Sequence, residues 1–458
     1  MLNNSLVALD RAHLVHPVAS YRQHERNGVR VITSAKGATV FDAAGRPLID
    51  GFAGLWCVNA GYGHESIVEA AARQMRELPY ATAYFGLGSE SAIRLAAELA
   101  ERAPGDLNHV YFTLGGSDAV DTTVRLIRYY QTVRGKPEKD QFISIEQGYH
   151  GSSTVGAGLT AIPIFHAHFG APFDWQHKIP SAYPYRNPVG TDDAAIIAAS
   201  LQALKAKVEA VGGPERVAAF YAEPIQGSGG VIVPPRGWMK AMRDLCAALD
   251  ILFVADEVIT GFGRTGPLFA STEDDIVPDL MTVAKGLTSG YVPMGAVFLS
   301  DKVYDTIADG AGNAAVGHGT TYSAHPVSAA VGLEVLRLYE DGLLDNGRRA
   351  GARLMKGLNG LGDHPLVGEV RGRGMLAAVE LVTDKAAKTP LPAAADTARR
   401  IFDRAWNQGL VIRAFGNGIL GYAPPLCCTD EEIDAIVERT RLVLDETLDD
   451  PDVRAAMA

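Results

Sequence analysis

The segment Met281-Thr282-Val283-Ala284-Lys285 puts a lysine at the end of an apolar run, and Gly286-Leu287-Thr288-Ser289-Gly290 follows it with small residues that leave room for a ligand. A lysine amine in a poorly hydrated site loses part of its proton affinity and becomes a nucleophile; in water it is only a solvated charge. Upstream, the wholly apolar run Ile251-Leu252-Phe253-Val254-Ala255 ends in Asp256. A carboxylate at the carboxyl end of a buried parallel strand sits where open α/β sheets gather ligands, and there it could hold a proton on a ring nitrogen; it could equally cap a turn. A third feature is Thr113-Leu114-Gly115-Gly116-Ser117-Asp118. Two glycines let backbone amides approach an anion closely, and Ser117 adds a hydroxyl at a helix N-terminus, where a phosphate is favoured. The other reading is a tight turn with Ser117 or Asp118 as the helix cap. No Lys-Ser or Lys-Thr follows, so this is not a Walker loop.

A phosphate cup, a carboxylate and an enclosed lysine in one α/β segment fit pyridoxal phosphate. The cup anchors the phosphate, the carboxylate keeps the pyridine nitrogen protonated and the lysine bonds to the aldehyde carbon. Other chemistries have less support. His166-Ala167-His168 has no cysteine or carboxylate spacing beside it, so no metal is expected. Gly372-Arg373-Gly374-Met375-Leu376-Ala377 carries the letters of a dinucleotide fingerprint but precedes a strand-like run; it leaves a nicotinamide-dependent oxidoreductase as an alternative. His150 reads as a hydrogen-bonded structural residue. The four cysteines, Cys57, Cys246, Cys427 and Cys428, form neither a disulfide framework nor a zinc pattern.

The elements that position these residues follow an α/β rhythm. Val110–Thr113, Gln141–Ile145 and Val217–Ala222 read as strands, with a helix over about Ala119–Gln131. Ala38–Asp42 and Pro47–Asp50 read as a small hairpin, and Val367–Val382 as antiparallel strands. Thr429-Asp430-Glu431-Glu432 is a capping box ahead of Ile433, Ile436, Val437, Thr440 and Leu444 at helical spacing. The expected division is an N-terminal segment, 1–55, forming part of a small α+β domain; a large ligand-binding α/β domain, 56–325; and the rest of the small domain, 326–458. The 458 residues include 42 Lys plus Arg and 53 Asp plus Glu, a net charge of −11 with no basic run, which argues against nucleic acid as a partner. No apolar run reaches a spanning length and no leader pattern is present, so no membrane partner and a cytoplasmic location are expected.

At this point the chain resembles the class III pyridoxal-phosphate aminotransferases. The resemblance is carried by Phe253-Val-Ala-Asp256-Glu-Val258-Ile-Thr-Gly-Phe-Gly-Arg-Thr-Gly266 and by Pro278-Asp-Leu-Met-Thr-Val-Ala-Lys285-Gly-Leu287. Gly148-Tyr-His-Gly151, Glu223-Pro-Ile-Gln-Gly-Ser-Gly-Gly230, Thr320-Thr-Tyr-Ser-Ala-His-Pro326 and Val370-Arg-Gly-Arg-Gly-Met375 extend it over nearly the whole chain. Gly54-Leu55-Trp56-Cys57-Val58-Asn59, His318–Ser323 and Val411-Ile-Arg413-Ala414 are similar to the pyruvate-using ω-transaminases.

The resemblance implies a fold-type I architecture and a homodimer with shared active sites, alone or paired into a dimer of dimers. It implies that Lys285 carries the cofactor and moves the proton, that Asp256 pairs with the pyridine nitrogen, and that Val258 and Tyr149 cover the two ring faces. Gly116 and Ser117, with Thr321 from the partner subunit, would bind the phosphate, and Glu223 would organise the ring-side polar network. Arg413 would receive the acceptor's carboxylate and swing away for an uncharged amine; Leu55, Trp56, Tyr84 and Phe85 would line the substrate pocket. The implied reaction passes an amino group from an amine, diamine or ω-amino acid to pyruvate, giving L-alanine, with the (S) preference of that subgroup. A relative that uses 2-oxoglutarate, decarboxylates or isomerises is the alternative. The chain departs from many members at Ile259, where they have Gln, at Gly115, where they have Ser, and at Ala81, where they carry a larger residue.

Overall fold

The runs Val217–Ala222, Leu252–Asp256 and Leu280–Val283 have every residue buried. This is the state expected of parallel strands covered on both faces, and it is why they read as continuous rather than alternating apolar segments. They form the middle of the main sheet of the computed structural model, which describes residues 5–273, 275–392 and 396–457.

Three antiparallel strands come first: β1 (Ile32–Lys36), β2 (Thr39–Asp42) and β3 (Pro47–Asp50). Seven strands then build the main sheet: β4 (His109–Thr113), β5 (Gln141–Ile145), β6 (Gln176–Ile179), β7 (Val217–Ala222), β8 (Leu252–Asp256), β9 (Leu280–Val283) and β10 (Gly295–Leu299). Their order is β4-β10-β9-β8-β7-β5-β6. Only β10 runs against its neighbours. The loops after β4, β5, β7, β8 and β9 therefore open on one edge of the sheet, the edge where such sheets bind ligands.

The remaining strands are β11 (Val367–Arg373), β12 (Leu376–Asp384), β13 (Thr389–Pro390), β14 (Leu410–Val411), β15 (Arg413–Ala414) and β16 (Ile419–Tyr422). β11, β12, β16 and β15 form an antiparallel sheet, while β14 pairs in parallel with β3, so the two ends of the chain share a sheet.

Several expectations are refined. The 38–50 hairpin gains a third strand, β1. The helix expected from Ala119 runs from Gly116 to Val133, because Gly115 serves as its N-cap and two weak helix formers hid its start. The capping box is present, with Thr429 and Glu432 each bonding the other's backbone N–H. Gly372–Ala377 belongs to the β11–β12 hairpin and opens no helix, which removes the structural context a dinucleotide fingerprint needs. Among the described residues no helix is long and apolar enough to cross a membrane.

Candidate active site

A cavity of about 380 Å³ lies at the carboxyl edge of the main sheet and collects residues from all five loops. Gly116 and Ser117 enter from β4, Tyr149 and His150 from β5, Glu223 from β7, Asp256 and Val258 from β8, and Lys285 from β9. Eight positions separated by up to 169 residues in sequence thus meet because parallel strands present their carboxyl ends together.

The helix Gly116–Val133 points its N-terminus at this cavity, and no side chain caps it. Ser117 lies inside the first turn rather than at the cap position, and its Oγ accepts from Ser152 N at 3.2 Å. The cap reading of Ser117 and Asp118 is therefore replaced by an uncapped helix end, whose free N–H groups suit an anion. Glycine is required nearby at Gly151, where φ is +107° and a Cβ would lie 2.7 Å from Ser117 Oγ. A Cβ on Gly115 would meet nothing within 4 Å, so the cup is open at that position.

Asp256 performs two tasks with its two oxygens. Oδ1 accepts from Val258 N at 3.1 Å, holding the turn after β8, and Oδ2 lies 2.8 Å from His150 Nδ1. Both side chains are buried, and His150 Nε2 has no partner. His150, read from the sequence only as hydrogen-bonded, is thus the residue that orients the Asp256 carboxylate. Two of the carboxylate's acceptor positions remain for a proton presented from the cavity.

Lys285 is half-buried at the cavity floor with φ +38°, and its Nζ makes no hydrogen bond or ion pair among the described residues. Loss of hydration lowers its pKa, opposed chiefly by the Asp256 carboxylate. The solvated-lysine reading therefore fails, and the amine is available as a nucleophile.

Glu223 is buried behind Tyr149. Its carboxylate accepts from Tyr149 N at 2.8 Å and Gly227 N at 3.0 Å. Burial raises its pKa to about 7, with the Asp256 charge adding to the rise and His150 and the two amides opposing it. Such a carboxyl stays protonated in the folded chain while the unfolded chain ionises it near about 4.3. Its stabilising contribution is complete below that value and is lost as pH rises toward 7. The cofactor-free Glu223→Gln variant loses one of the two accepted backbone bonds at every pH but carries no charge in either state, so its melting temperature relative to the cofactor-free parent should rise as pH is raised from 5 to 8 in thermal scans; a difference that does not change with pH would contradict the raised Glu223 pKa.

The expected pocket residues are placed less uniformly. Trp56 is buried against Phe52, with ring centroids 4.7 Å apart, and near Phe415 at 6.4 Å; this cluster shares Ile259 with the cavity wall. Arg413 is exposed, lies over the Phe415 ring at 5.3 Å and has no carboxylate partner among the described residues. Leu55, Tyr84, Phe85 and Thr321 are exposed, and none lines the cavity of their own chain.

Sequence reading missed Asp50. It is buried and accepts from Phe52 N, Gly54 N and Tyr62 Oη at 3.0, 2.7 and 2.6 Å. These bonds hold a bend in which Ala53, Gly54 and Trp56 all have positive φ, a conformation that needs such support. The local signal was Asp50 two residues before a Phe-Ala-Gly turn, but its third partner, Tyr62, follows only from the fold.

The site fits pyridoxal phosphate. The uncapped helix end suits its phosphate, Asp256 its ring nitrogen, and the unpartnered Lys285 Nζ its aldehyde carbon.

Residues 20–444 match the family described as Aminotransferase class-III. The chain is 42% identical over 453 residues to a putrescine–pyruvate aminotransferase of Pseudomonas aeruginosa, covering 96% of each chain. It is 38% identical to a diaminobutyrate–2-oxoglutarate transaminase of Halomonas elongata, covering 98% of this chain and 97% of that one. Among solved structures, a thermostable (S)-enantioselective ω-transaminase of Thermomicrobium roseum superposes with a TM-score of 0.94 at 39% identity, covering 97% of this chain and 98% of that one. The chain belongs to the class III aminotransferases, fold-type I enzymes that use pyridoxal phosphate to move amino groups between small-molecule amines and keto acids.

Proposed function

We propose that this enzyme is an ω-transaminase that takes the amino group of an amine, diamine or ω-amino acid and delivers it to pyruvate, releasing an aldehyde or ketone and L-alanine. The observation that carries this reading is Arg413: a residue exposed on its own chain, with no ion pair among the described residues, whose guanidinium lies over Phe415, which in turn neighbours Trp56. One locus thus offers a bidentate carboxylate fork and an apolar aromatic surface, the two forms of recognition that a keto acid and an uncharged amine substituent require. Ile259 lining the cavity adds apolar wall. The similarity to a putrescine–pyruvate aminotransferase supports pyruvate as acceptor, and that to a diaminobutyrate–2-oxoglutarate transaminase keeps 2-oxoglutarate as the second reading. The (S) preference is supported by the Thermomicrobium roseum structure.

Bound pyridoxal phosphate would supply an aldehyde carbon able to bond an amine nitrogen and a ring able to accept electrons. The chain supplies the rest. Lys285 Nζ would hold the cofactor and then carry the proton, and Asp256 would keep a proton on the ring nitrogen, its carboxylate held in place by His150. Gly116 and Ser117 would hold the phosphate, with Thr321 supplied from a second copy of the chain. Val258 and Tyr149, which line the cavity, would hold the ring between them, with Glu223 anchoring the Tyr149 backbone. Leu55, Trp56, Tyr84 and Phe85 shape the substrate side. The exposed, apolar Leu55, Tyr84 and Phe85 and the absence of Thr321 from its own chain's cavity support a homodimer that completes each site across the interface.

Steady-state kinetics of Arg413→Leu test this reading. The KM for pyruvate should rise about 10- to 100-fold, the value of a lost charge-assisted contact, while the KM for an uncharged amine changes little. Equal loss for donor and acceptor, or a parent enzyme that turns over with 2-oxoglutarate and not pyruvate, would overturn it.

A further inference from the structure

Outside the cavity, two imidazoles converge on one carboxylate near the start of the chain. Asp10, on the helix Leu6–His13, is nearly buried. Its Oδ1 lies 2.6 Å from His16 Nε2 and its Oδ2 lies 2.6 Å from His24 Nε2. His24 comes from the next helix, Tyr21–Asn27, and His16 from the connection between the two. The two rings stand 4.3 Å apart between centroids, tilted by 41°. One ligand atom from each of the three residues lies within 4.8 Å of the other two, and among the described residues no other group of three His, Cys, Asp or Glu side chains is so placed. None of the three lines the cavity.

A single imidazole is enough to satisfy one edge of a carboxylate. Here a second ring, from a different element, is brought to the other oxygen, so that two Nε2 atoms gather around one carboxylate. Two neutral imidazoles and one carboxylate are the donor set of borderline divalent ions, and three protein ligands with a free fourth position are a regular zinc arrangement. We propose that Asp10, His16 and His24 bind a divalent ion of the Zn²⁺ type and that this ion clips the two N-terminal helices together.

Binding forms two nitrogen–metal bonds in place of the two Nε2–H···O hydrogen bonds: each neutral ring carries its one proton on Nδ1 and gives the Nε2 lone pair to the ion, and Asp10 supplies the oxygen. Ligand nitrogens around tetrahedral zinc stand roughly 3.4 Å apart, given zinc–nitrogen bonds of about 2.0–2.1 Å. Small side-chain rotations therefore close the site. The rings are free to make them, since neither Nδ1 bonds to a protein group among the described residues. The His16 and His24 side chains remain 27% and 18% exposed, which leaves an approach for the ion and for a water in the fourth position. The sequence reading weighed only His166 and His168 and expected no metal; Asp10, His16 and His24 match no compact ligand motif and are brought together by the packing of two helices.

Calorimetric titration of the metal-free, cofactor-loaded full chain with ZnCl2 tests the proposal. The expected result is one ion per chain and slower amide exchange over residues 5–28 when zinc is present. Asp10→Asn and His24→Gln should each weaken binding at least about tenfold, whereas His13→Gln, at an exposed histidine outside the cluster, should not. Titration of the parent chain with CoCl2, followed by its visible absorption, reads the same site without any variant and should show the intense bands of a four-coordinate ion. Absence of saturable binding of either ion, or binding that survives both Asp10→Asn and His24→Gln, would overturn the proposal.

Discussion

Replacing Lys285 by alanine is expected to lower kcat by about 10⁴-fold or more, the scale of losing a positioned acid–base that also bonds the cofactor. Among the described residues its Nζ is the one amine lining the cavity and has no partner to hold it elsewhere, and desolvation already lowers its pKa. No other lining side chain offers an amine that could take over. The fold should survive the change, because the lost group makes no hydrogen bond and its burial opposes folding rather than supporting it. The thermal midpoint of the cofactor-free variant should therefore equal or exceed that of the parent. Its cofactor should come away on dialysis, where the parent retains it. A variant that keeps turnover within tenfold of the parent would remove Lys285 from the mechanism.

Asp256→Asn should reduce kcat by about 10²- to 10³-fold, the loss typical when one preorganised charge is withdrawn from a closed site. The substitution conserves shape, and a side-chain oxygen can still accept from Val258 N, so the turn after β8 is kept. The amide cannot supply the negative charge that holds a proton on a ring nitrogen, and its NH2 group cannot accept from His150 as Oδ2 does. The loss should fall on kcat with both substrates, unlike the acceptor-selective effect of Arg413→Leu. Asp256→Glu, which restores charge but displaces it, should recover only part of the activity. Single-turnover measurements of each half-reaction separate these outcomes.

What the sequence made legible follows from how local each signal is. Buried parallel strands carry their own signature, so Val217–Ala222 and Leu252–Asp256 could be placed along with the residues at their carboxyl ends. Lys285, Asp256, Glu223, Tyr149 and the Gly116–Ser117 pair consequently meet in one cavity. The helix start at Gly116 was obscured because an uncapped end built on Gly115 and Gly116 carries none of the usual start residues. Roles that depend on distant partners were not legible. Nothing near His150 says that it will hold Asp256, 106 residues away, and Asp50 needed Tyr62 to complete its clamp. Asp10, His16 and His24 converge only through helix packing. Trp56 read as a pocket wall, yet it is buried in an apolar cluster whose member Ile259 also faces the cavity. Thr321, Tyr84 and Phe85 lie on the surface of a single chain, which is where residues serving a neighbouring subunit's site would stand.

The most direct test of amine-to-pyruvate transfer is the absorption spectrum of the purified, cofactor-loaded enzyme through one cycle. Addition of an (S)-amine or a diamine should bleach the long-wavelength band of the bound cofactor, and pyruvate added after removal of free amine should restore it with one equivalent of alanine per site. A band that does not respond to amines, or one that 2-oxoglutarate restores and pyruvate does not, would contradict the proposed reaction.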